Sequence, residues 1–578
     1  MSELVGLSFD QPASPYLAFD DDPSSVVDQR NGWGVAWYPN DELGAAFIRD
    51  PTSGLSAGVT DVMADWGMMR TGLLLAHLRG AAKRATYRDT HPFVRNFAGR
   101  SWLVAHNGDL IGDLSKELPL PVHPSLRPVG PTDTEHLFCW LLQHLVDAGA
   151  DTIEEFGAER LAELLGQANE LGTLNLLLAD GSTLIAYRCT SGFQPMFAGR
   201  FVPPHAEGDL NLSRYGVSVR LGGHQDWNRS GVIVSTIDFD DEHFEEIAPG
   251  GYVAVQGGRV VGPTDFGHGR PAEPGSVAVP SPLALAPRSL YRRLHVEHVT
   301  SYRYEHPVER SSHRIRLTPV HDKFQQVAKH SVDISVQGLR WDFEDVFGND
   351  VIGLELDAPY QQLSIAVNAL VTVAAPIDHP DLLPRTPKLP IMWMPWQEHM
   401  MHSYLLPPEL PESELEELHE YARSFAHRNR SELLPTLDDI AWTIYSDYSY
   451  KPGFTTLETT PYEVFSNRAG VCQDFANLMI CLARMLNIPA RYRVGYIFTG
   501  SDYDNKVQSD ASHAWVEAFL PMMGWRGYDP TNGSRVGADH VRVAKGRNYR
   551  DATPTSGVIY LGGGGTETMS INVRVTEA

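Results

Sequence analysis

Residues 469–497 read AGVCQDFANLMICLARMLNIPARYRVGYI, and this stretch decides how the second half of the chain folds. Cys472 stands directly after a Gly-containing turn and before a run of apolar residues at helical spacing. Those residues are Phe475, Leu478, Met479, Leu482 and Met485. The spacing predicts a helix that begins at Cys472. The free amides and the dipole at a helix start favour a thiolate and can also hold an oxyanion, so Cys472 is a candidate nucleophile.

Two later segments supply side chains that can work with Cys472. The segment SHAWVEAFL places His513 on an alternating strand. The segment GWRGYDPTNG places Asp529 at the end of the next strand. On adjacent antiparallel strands the two side chains can face each other. The sequence therefore predicts that a thiol, an imidazole and a carboxylate come together in the second half of the chain.

A resemblance to the transglutaminase-like branch of the papain-type cysteine enzymes covers about residues 290–578. It is carried by GVCQDFA, SHAWVE and GWRGYDPTNG, which occur in the family's order, and by LYRRLHVEHVTSYRYEHPV and HRIRLTP, which resemble the β-rich region that precedes this core in bacterial relatives. The resemblance implies that Cys472 attacks an acyl carbon, that His513 moves the proton and that Asp529 fixes the imidazole tautomer. Asn477 stands where many relatives carry His, which leaves the substrate preference open.

Each of these residues has a simpler interpretation when it is taken alone. Cys472 would then be a buried structural thiol, and His513 a strand histidine packed beside Trp515. A zinc site is disfavoured because neither a Cys pair nor an HExxH motif accompanies the three residues. His399 and His402 are interpreted as part of a solvated loop, so neither a metal nor a cofactor is predicted.

Four short motifs of the first half contain residue types that suit the binding of a free amino acid. Arg79 can hold an α-carboxylate in a two-pronged contact, and Asp133 can bind an α-ammonium group. The side-chain amide of Asn107 and the backbone amide of Gly108 can together form an oxyanion hole. In chain order the motifs are NGWGVAWY, AHLRGAA, AHNGDL and GPTDTEHLF.

These motifs resemble class II glutamine amidotransferase domains, members of the N-terminal nucleophile hydrolases, over about residues 2–260. The resemblance implies a four-layer αββα sandwich whose first strand starts with the nucleophile. In that family the residue after Met is Cys, whose thiol attacks the side-chain amide of glutamine while its own α-amine accepts the proton. This chain begins MSELVGLSFD and carries Ser2 at that position.

Three interpretations of Ser2 stay open. Other N-terminal nucleophile hydrolases use an oxygen nucleophile that is activated by its own α-amine, and Ser2 can act in the same way. Alternatively, the pocket binds a ligand without turnover, because a hydroxyl is a weaker nucleophile than a thiol at neutral pH. In the third interpretation, Ser replaces a catalytic Cys to trap an acyl complex. Ala82 stands where relatives commonly have Thr, which leaves the specificity for glutamine open.

The composition limits the partners that we expect. A formal net charge of −25 over 578 residues repels phosphate backbones and anionic lipid, so we expect neither nucleic acid nor a membrane as partner. We also expect a cytoplasmic protein, because no leader-like segment and no apolar span are found. Four cysteines are too few for a disulfide framework and are expected as free thiols, namely Cys139, Cys189, Cys472 and Cys481.

Length and composition predict an α+β fold with more than one domain. The predicted parts are a class II glutamine amidotransferase-like domain at 1–263, a Pro/Ala/Gly-rich linker at 264–289, a β-rich region at 290–385 and a papain-like transglutaminase core at 386–578. A four-layer αββα sandwich is thus followed by a β-rich region and a thiol-enzyme core.

The combined prediction is a cysteine enzyme that cleaves or transfers an amide acyl group through a Cys472 thioester. It is fused to an amidotransferase-like domain with Ser2 in the nucleophile position. The partner would be glutamine or another amide-bearing small molecule or peptide. The alternative is a glutamine-sensing or scaffold protein whose amidotransferase-like domain has no turnover. The sequence chooses neither the acceptor of the acyl group nor an oligomeric state.

Overall fold

The structure, a computed structural model, divides the chain into two compact units, Met1–Val279 and Pro280–Ala578. It describes residues 2–19, 30–40, 42–51, 70–80, 86–120, 126–203, 210–214, 217–221, 229–239, 241, 243–263, 290–376, 387–500 and 512–578. The predicted linker, residues 264–289, lies outside the described residues. Within the described ranges, no helix combines the length and the apolar character that crossing a membrane requires.

The first unit contains two large antiparallel sheets and one small sheet. Its strands are β1 (Glu3–Ala13), β2 (Tyr16–Phe19), β3 (Arg30–Pro39), β4 (Ala46–Asp50), β5 (Thr71–Gly80), β6 (Phe93–Phe97), β7 (Arg100–Asn107), β8 (Asn175–Ala179), β9 (Thr183–Tyr187), β10 (Phe197–Phe201), β11 (Leu210–Arg214), β12 (Val217–Leu221), β13 (Gly231–Ser235), β14 (Phe244–Glu246), β15 (Tyr252–Gln256) and β16 (Arg259–Gly262). Its helices are α1 (Leu114–Glu117), α2 (Asp133–Ala148), α3 (Ile153–Phe156) and α4 (Ala158–Asn169), with a 3-10 helix at Tyr87–Asp89.

The strand orders place Ser2 at the head of a central strand. The seven-stranded sheet has the order β14-β10-β13-β1-β5-β3-β4, the six-stranded sheet the order β16-β15-β9-β8-β7-β6, and the small sheet the order β11-β12-β2. Because β1 is the middle strand of the seven-stranded sheet, its antiparallel neighbours β13 and β5 both end near Ser2.

Alternation along the strands produces the layers of the first unit. Leu4 of β1 packs between the two large sheets, whereas Val5 and Leu7 pack on the outer face of the seven-stranded sheet. Phe138 of α2 and Leu165 of α4 pack on the far face of the six-stranded sheet. The first unit therefore has a layer of helices, then the six-stranded sheet and then the seven-stranded sheet, which are three of the four layers that the resemblance implies. The residues described over the outer face of the seven-stranded sheet lie on β2, β11, β12 and connecting segments.

The second unit combines a β-rich sheet with a smaller sheet that is packed by helices. Its strands are β17 (Tyr291–Ile315), β18 (Gln325–Ile334), β19 (Leu339–Glu344), β20 (Asp350–Leu356), β21 (Tyr360–Ala374), β22 (Ser449–Tyr450), β23 (Ala469–Gly470), β24 (Ala490–Ile497), β25 (His513–Leu520), β26 (Gly524–Asp529), β27 (Ser534–Arg535), β28 (His540–Gly546), β29 (Thr555–Gly562) and β30 (Glu567–Glu577). Its helices are α5 (Pro395–Leu405), α6 (Glu412–Arg428), α7 (Leu433–Asp447), α8 (Pro461–Asn467), α9 (Cys472–Met485) and α10 (Tyr549–Ala552).

The β-rich sheet is organised around β17. The runs LHVEHVTSYRYEHPV and HRIRLTPV predict two successive strands here, and the structure has one strand of 25 residues. Its pairing with β21 shifts register between Arg303 and Val308, around Pro307, and its pairing with β29 shifts register between Val308 and Ser311. On either side of these shifts β17 changes partners, pairing with β21 first and with β20 later. β29 and β30 also pair with β17, so the last two strands of the chain join the β-rich sheet.

Helix α9 packs against the five-stranded sheet β27-β26-β25-β24-β28. Its buried face consists of the apolar residues that predicted the helix, and burial of each large side chain contributes roughly 1.5–3 kcal/mol. The fully buried members are Phe475, Leu478, Met479 and Leu482. The pattern that forms the helix therefore also fixes Cys472 at one end of the sheet.

Side-chain amides from the β-rich region fasten the outer strand β28. The buried Gln325 donates to the carbonyl of Arg542 at 2.8 Å and accepts from the amide of Arg542 at 2.7 Å. Asn349 makes the same pair of hydrogen bonds with Lys545, both at 2.8 Å. Arg542 also forms an ion pair with Asp322 at 2.6 Å. The β-rich region therefore holds a strand of the core sheet in place.

Gln325→Ala is expected to loosen β28, because it leaves the buried amide of Arg542 unsatisfied, at about 1–3 kcal/mol, while the carbonyl of Arg542 keeps the amide of Val320 as donor. Hydrogen exchange of the full chain, followed by mass spectrometry over residues 540–546, should become at least about tenfold faster. Gln326→Ala, at an exposed neighbouring position of β18, serves as the control. Equal exchange in both variants would contradict the fastening role.

Candidate active sites

Helix α9 begins at Cys472, as the sequence predicts. Asp474, in the first turn, accepts hydrogen bonds from the amide of Val471 at 2.9 Å and from the hydroxyl of Thr455 at 2.5 Å. Burial raises the pKa of the Asp474 carboxyl, and the two donors oppose this rise. These contacts fix the turn, and the first amides of the helix, at Cys472 and Gln473, have no acceptor within the helix. The half-buried thiol therefore lies beside free backbone donors.

His513 and Asp529 lie on the neighbouring antiparallel strands β25 and β26. Nε2 of His513 is 2.8 Å from Oδ2 of Asp529, and both side chains are fully buried. Cys472 adjoins the imidazole closely enough to favour its protonated form. Among the described residues, Nδ1 of His513 has no hydrogen-bond partner within ordinary distance. The structure thus brings the three predicted residues together, with one imidazole nitrogen on the carboxylate and the other left for the thiol.

The charges of this pair shift both titrations strongly. Burial alone would lower the pKa of His513, but the charge and hydrogen bond of Asp529, and then Cys472, raise it from 6.5 to about 10. Burial raises the pKa of Asp529, yet the charge and hydrogen bond of His513 and those of His540 lower it overall. The charged imidazole therefore stabilises the fold fully below pH 6.5, and this contribution is lost as the pH rises through about 10.

A second histidine, His540 of β28, completes the environment of Asp529. Its Nε2 lies 3.1 Å from Oδ2 of Asp529, while its Nδ1 accepts from the amide of Gly537 at 3.4 Å. Because Nδ1 accepts, Nε2 carries the proton and donates it to the carboxylate. Asn532 donates to the same oxygen at 2.6 Å, and the amide of Thr531 donates to Oδ1 at 3.0 Å. The sequence prediction missed His540, which lies in no recognisable motif.

The ligand atoms of His513, Asp529 and His540 lie within 4.8 Å of one another, which raises the question of a metal. The shared Oδ2, however, accepts hydrogen bonds from both imidazoles and from an amide, at distances typical of N–H donors rather than of metal bonds. The donor set therefore fits an oriented imidazole better than a metal. His399 and His402 lie exposed on helix α5, so their assignment to a loop is wrong.

A cleft of about 530 Å³ runs along α9 and contains Asn477 on its wall. Arg484, Arg547 and Tyr549 also line it. Cys472 is among the groups that raise the pKa of Tyr549, after burial and Tyr302, so this phenol lies within electrostatic reach of the thiol. The position at which the sequence departs from the family pattern therefore lies in this cleft, and Cys472, His513 and Asp529 are not among the described residues that line it.

In the first unit, Ser2 contacts two of the predicted motifs. Its Oγ accepts a hydrogen bond from the amide of Gly80 at 3.1 Å, and its carbonyl accepts from Nδ2 of Asn107 at 2.7 Å. Arg79 directly precedes Gly80. The structure therefore joins Ser2 to Asn107 and places the backbone beside Arg79 at the serine hydroxyl.

The Asn107 side chain is already engaged within the unit. Its Nδ2 also donates to Oε1 of Gln194, whose Nε2 donates to Glu3 at 3.2 Å. Glu3 in turn accepts from the hydroxyl of Thr236 at 2.6 Å. Both amide hydrogens of Asn107 therefore have acceptors, so an oxyanion at this point would have to displace Gln194 or the Ser2 carbonyl. The sequence prediction missed Gln194, because no local pattern connects it with Ser2.

Arg79 and Asp133 occupy the same end of the sheets without touching Ser2. Arg79 donates to a backbone carbonyl of the 3-10 helix at 3.3 Å. Asp133 accepts from the amide of Leu110 at 2.7 Å and from the amide of Thr134 at 2.8 Å. Among the described residues, no hydrogen bond or ion pair joins Ser2 to Arg79 or Asp133. Their roles in binding an amino acid stay predictions.

Gly108 meets a steric demand that no other residue satisfies. Its φ is +146°, and a Cβ would come within 2.1 Å of the carbonyl oxygen of Thr173. Beside it, His106 contacts the hydroxyl of Thr134 at 2.8 Å and the Thr173 carbonyl at 3.2 Å. The AHNGDL and GPTDTEHLF motifs are thus joined physically.

Two further histidines pack behind these motifs. Nδ1 of His91 lies 3.4 Å from Nε2 of His77. Burial, the charge of Arg79 and then His106 lower the pKa of His77 to about 3, and burial and then His77 lower the pKa of His91. These rings are therefore neutral at physiological pH. Ala82, the second departure from the family pattern, lies outside the described residues.

Family comparisons agree with this geometry. In this geometry, a unit of two packed sheets with helices on one face comes first. A cluster of a thiol, an imidazole and a carboxylate, carried by a helix and two strands, follows in the second unit. Residues 1–273 match the model of glutamine amidotransferases class-II, residues 294–372 that of the bacterial transglutaminase-like N-terminal region, and residues 420–530 that of the transglutaminase-like superfamily. The chain belongs to the class II glutamine amidotransferases through its first part, and its second part contains a bacterial transglutaminase-like N-terminal region followed by a transglutaminase-like core.

Individual relatives cover parts of the chain. The uncharacterized protein Mb2599c of Mycobacterium bovis is 33% identical over 298 residues, which are 48% of this chain and 91% of that protein. The Escherichia coli protein named "Putative glutamine amidotransferase YafJ" is 31% identical over 197 residues, which are 33% of this chain and 74% of that protein. A crystal structure of a "Putative Cysteine Protease" from Cytophaga hutchinsonii has a TM-score of 0.41 at 21% identity and covers 50% of this chain and 91% of its own.

Asp529→Asn is expected to lower the pKa of His513 well below about 10, because it removes the largest opposing charge and leaves burial opposed by Cys472 alone. NMR titration of the full chain with histidine ¹³C-labelled at Cε1 measures this pKa directly. Asp551→Asn, in an ion pair with Arg547, is the matched control and should leave His513 unchanged. A His513 pKa that stays near 10 in Asp529→Asn would show that another group holds the proton.

Proposed function

We propose that the second unit is a cysteine enzyme that cleaves an amide, or transfers its acyl group, through a thioester on Cys472. The observation that supports this most directly is the buried pair of His513 and Asp529 beside a thiol at a helix start. A charged imidazole can donate a proton to a leaving amine, and the free amides of Cys472 and Gln473 can stabilise an oxyanion.

The proposed reaction has two steps that balance in protons. His513 holds the proton that the thiol has given up, the Sγ thiolate attacks the carbonyl carbon, and the leaving nitrogen takes that proton from the imidazolium as the carbon–nitrogen bond breaks. A thioester on Cys472 remains. Water or a second amine then attacks it while His513 accepts the proton of the incoming group and returns it to the sulfur as the carbon–sulfur bond breaks. Asp529 holds the imidazole orientation throughout.

Amide-bearing peptides or small molecules are the substrates that we propose for this unit. Supporting this class is the reacting group itself, because a thiolate beside an acid–base imidazole can attack the carbonyl carbon of an amide. Water as acceptor gives a peptidase, amidase or deamidase, and an amine gives an acyltransferase. All of these outcomes pass through the same thioester on Cys472, so an assay has to identify which acceptor attacks it.

For the first unit we propose a glutamine-type pocket with Ser2 in the nucleophile position. Its support is the contact of Ser2 with Asn107 and with the amide that follows Arg79. The alternative, a pocket that binds glutamine without turnover, is favoured by a different observation. The Asn107 amide that would serve an oxyanion already donates to Gln194 and to the Ser2 carbonyl. Removal of Met1, which would expose the Ser2 amine, is part of the catalytic proposal.

Cys472→Ala should abolish acyl-enzyme formation and the release of 4-nitroaniline from γ-glutamyl-4-nitroanilide, because it removes the nucleophile. His513→Ala should lower this rate by roughly 10²–10⁴-fold, the usual reach of a positioned acid–base group. Intact-mass spectrometry after incubation with γ-glutamyl amides or glutamine locates the adduct. Cys139→Ala, buried in the first unit, and His402→Ala, exposed on α5, are the controls. Full activity in Cys472→Ala would refute the proposal.

Ser2→Cys, made in the Cys472→Ala background, should raise the release of ammonia from L-glutamine at least about tenfold, because a thiol is the stronger nucleophile. Mass spectrometry must first show that Met1 is absent from the protein. Ser213→Cys, at an exposed position, controls for an added thiol. Binding of glutamine without any gain in ammonia would support the non-catalytic alternative, and loss of binding would oppose both.

A further inference from the structure

Strand β19 forms an uncovered edge of the β-rich sheet. It pairs with β20 on one side, and all six of its residues, Leu339–Glu344, are exposed. Of the strands that the structure describes, none runs along the other side of β19. Its pairing with β20 shows no register shift, and its sequence contains neither Pro nor Lys. β19 therefore lacks the bulge, the proline and the lysine that commonly protect such an edge from other extended chains.

The backbone groups of Arg340 and Asp342 point away from β20. In an antiparallel pair, residues that exchange hydrogen bonds with the neighbouring strand alternate with residues whose backbone groups point outwards. The amide of Asp345 donates to the carbonyl of Asn349 at 3.0 Å, and this pair continues the register of β19 with β20. Counting back in steps of two, the odd-numbered residues of β19 bond to β20. Arg340 and Asp342 therefore offer two amides and two carbonyls to a further strand.

The side chains of β19 are complementary to those of a second β19. When two copies pair antiparallel with Trp341 on the two-fold axis, Arg340 lies opposite Asp342 of the second copy. Leu339 then lies opposite Phe343, and the two side chains are 66% and 38% exposed in the single chain. Each charge meets an opposite charge and each apolar side chain an apolar one, twice across the axis. One strand therefore carries both halves of a matched interface.

Other registers lose this match. With Asp342 on the two-fold axis two carboxylates face each other, and with Arg340 on the axis two guanidinium groups do so. A parallel pair in register places each charge against its own kind. Within one chain, Nε of Arg340 lies 3.5 Å from Asp342, and the side chains are 43% and 71% exposed, so this contact is weak and leaves both charges available.

The edge is rigid before it meets a partner. The ring of Trp341 lies over Gly353 of β20, where a Cβ would come within 2.2 Å of it. The turn after β19 is fixed by the carboxylate of Asp345, which accepts from the amide of Phe347 at 3.0 Å and pairs with Arg316 at 2.9 Å. A strand that is already ordered loses little conformational entropy when it pairs.

We propose that β19 is the interface of a homodimer, in which two copies of the chain join their β-rich sheets antiparallel about Trp341. An extended segment of another protein is the alternative occupant, but the self-matching order of charges favours a second copy. The matched strand is short compared with interfaces that bury about 1,200 Å² or more, so the expected Kd is roughly 10–100 µM. The proposal concerns assembly and does not depend on the function proposed for Cys472.

Charge exchange tests the register in the full-length protein. Sedimentation velocity over about 1–200 µM should show a monomer–dimer equilibrium. Arg340→Asp and Asp342→Arg each place like charges opposite each other, so each variant alone should dimerise at least about tenfold more weakly. An equimolar mixture of the two variants regains opposite charges at both positions and should dimerise as the wild-type protein does. Lys329→Asp and Asp333→Arg make the same charge changes at exposed positions of β18 and should leave the dimer intact.

A disulfide tests the two-fold axis directly. In the Cys472→Ala background, Trp341→Cys places two thiols opposite each other, at a Cα separation of about 4.5–5.5 Å that a disulfide spans. Oxidation with diamide should therefore link two chains. Leu339→Cys is the control, because its two thiols would be displaced by four residues, about 14 Å, and should not link.

Four results would overturn the proposal. They are a monomer at every concentration, a dimer that survives both charge variants, a mixture of the two variants that does not associate, and equal linking of the two cysteine variants. Pairing of β19 with a segment of another protein would produce the first of these results.

Discussion

The fully buried carboxylate of Asp529 is the constraint on which the second unit depends. An isolated buried charge is costly, so it must be surrounded by donors. Those donors come from β25, from β28 and from the turn that follows β26, as His513, His540, Asn532 and Thr531. Three segments of one sheet are thereby held at one point. The sheet cannot shift its register without leaving this charge short of partners, and the same contacts orient the imidazole beside the thiol.

The two units differ in the charges and hydrogen bonds that surround Cys472 and Ser2. In the second unit a charged pair stands next to the sulfur, and the helix start adds free amides. In the first unit the serine hydroxyl accepts a backbone hydrogen bond, and the nearby rings of His77 and His91 are kept neutral by burial and by the charge of Arg79. Neutral imidazoles of this kind hold no extra proton to give and lie beside the charged Arg79. The two histidines therefore differ from His513, which shares its proton with a carboxylate.

Much of this arrangement was predictable where the relevant signal is local. The helix start at Cys472 follows from apolar spacing, and the strands of His513 and Asp529 follow from alternation. His540 was missed because its contact with Asp529 depends on β28 pairing with the opposite side of β24, which no short pattern encodes. Gln194 was missed for the same reason, as its contact with Asn107 joins distant segments. The continuity of β17 was also missed, because Pro307 interrupts the alternating pattern and proline commonly ends a strand.

The amides of Gln325 and Asn349 have a consequence for the solubility of the molecule. β28 is the last strand of the five-stranded sheet, and such a strand normally offers unpaired backbone groups to any other extended chain. Here the amide and carbonyl groups of Arg542 and Lys545 are occupied by side chains that mimic a neighbouring backbone. Each of these side chains occupies the backbone groups of a single residue, so the sheet ends at β28 instead of gaining another strand. The strand that carries His540 is thereby shielded from strand-to-strand aggregation.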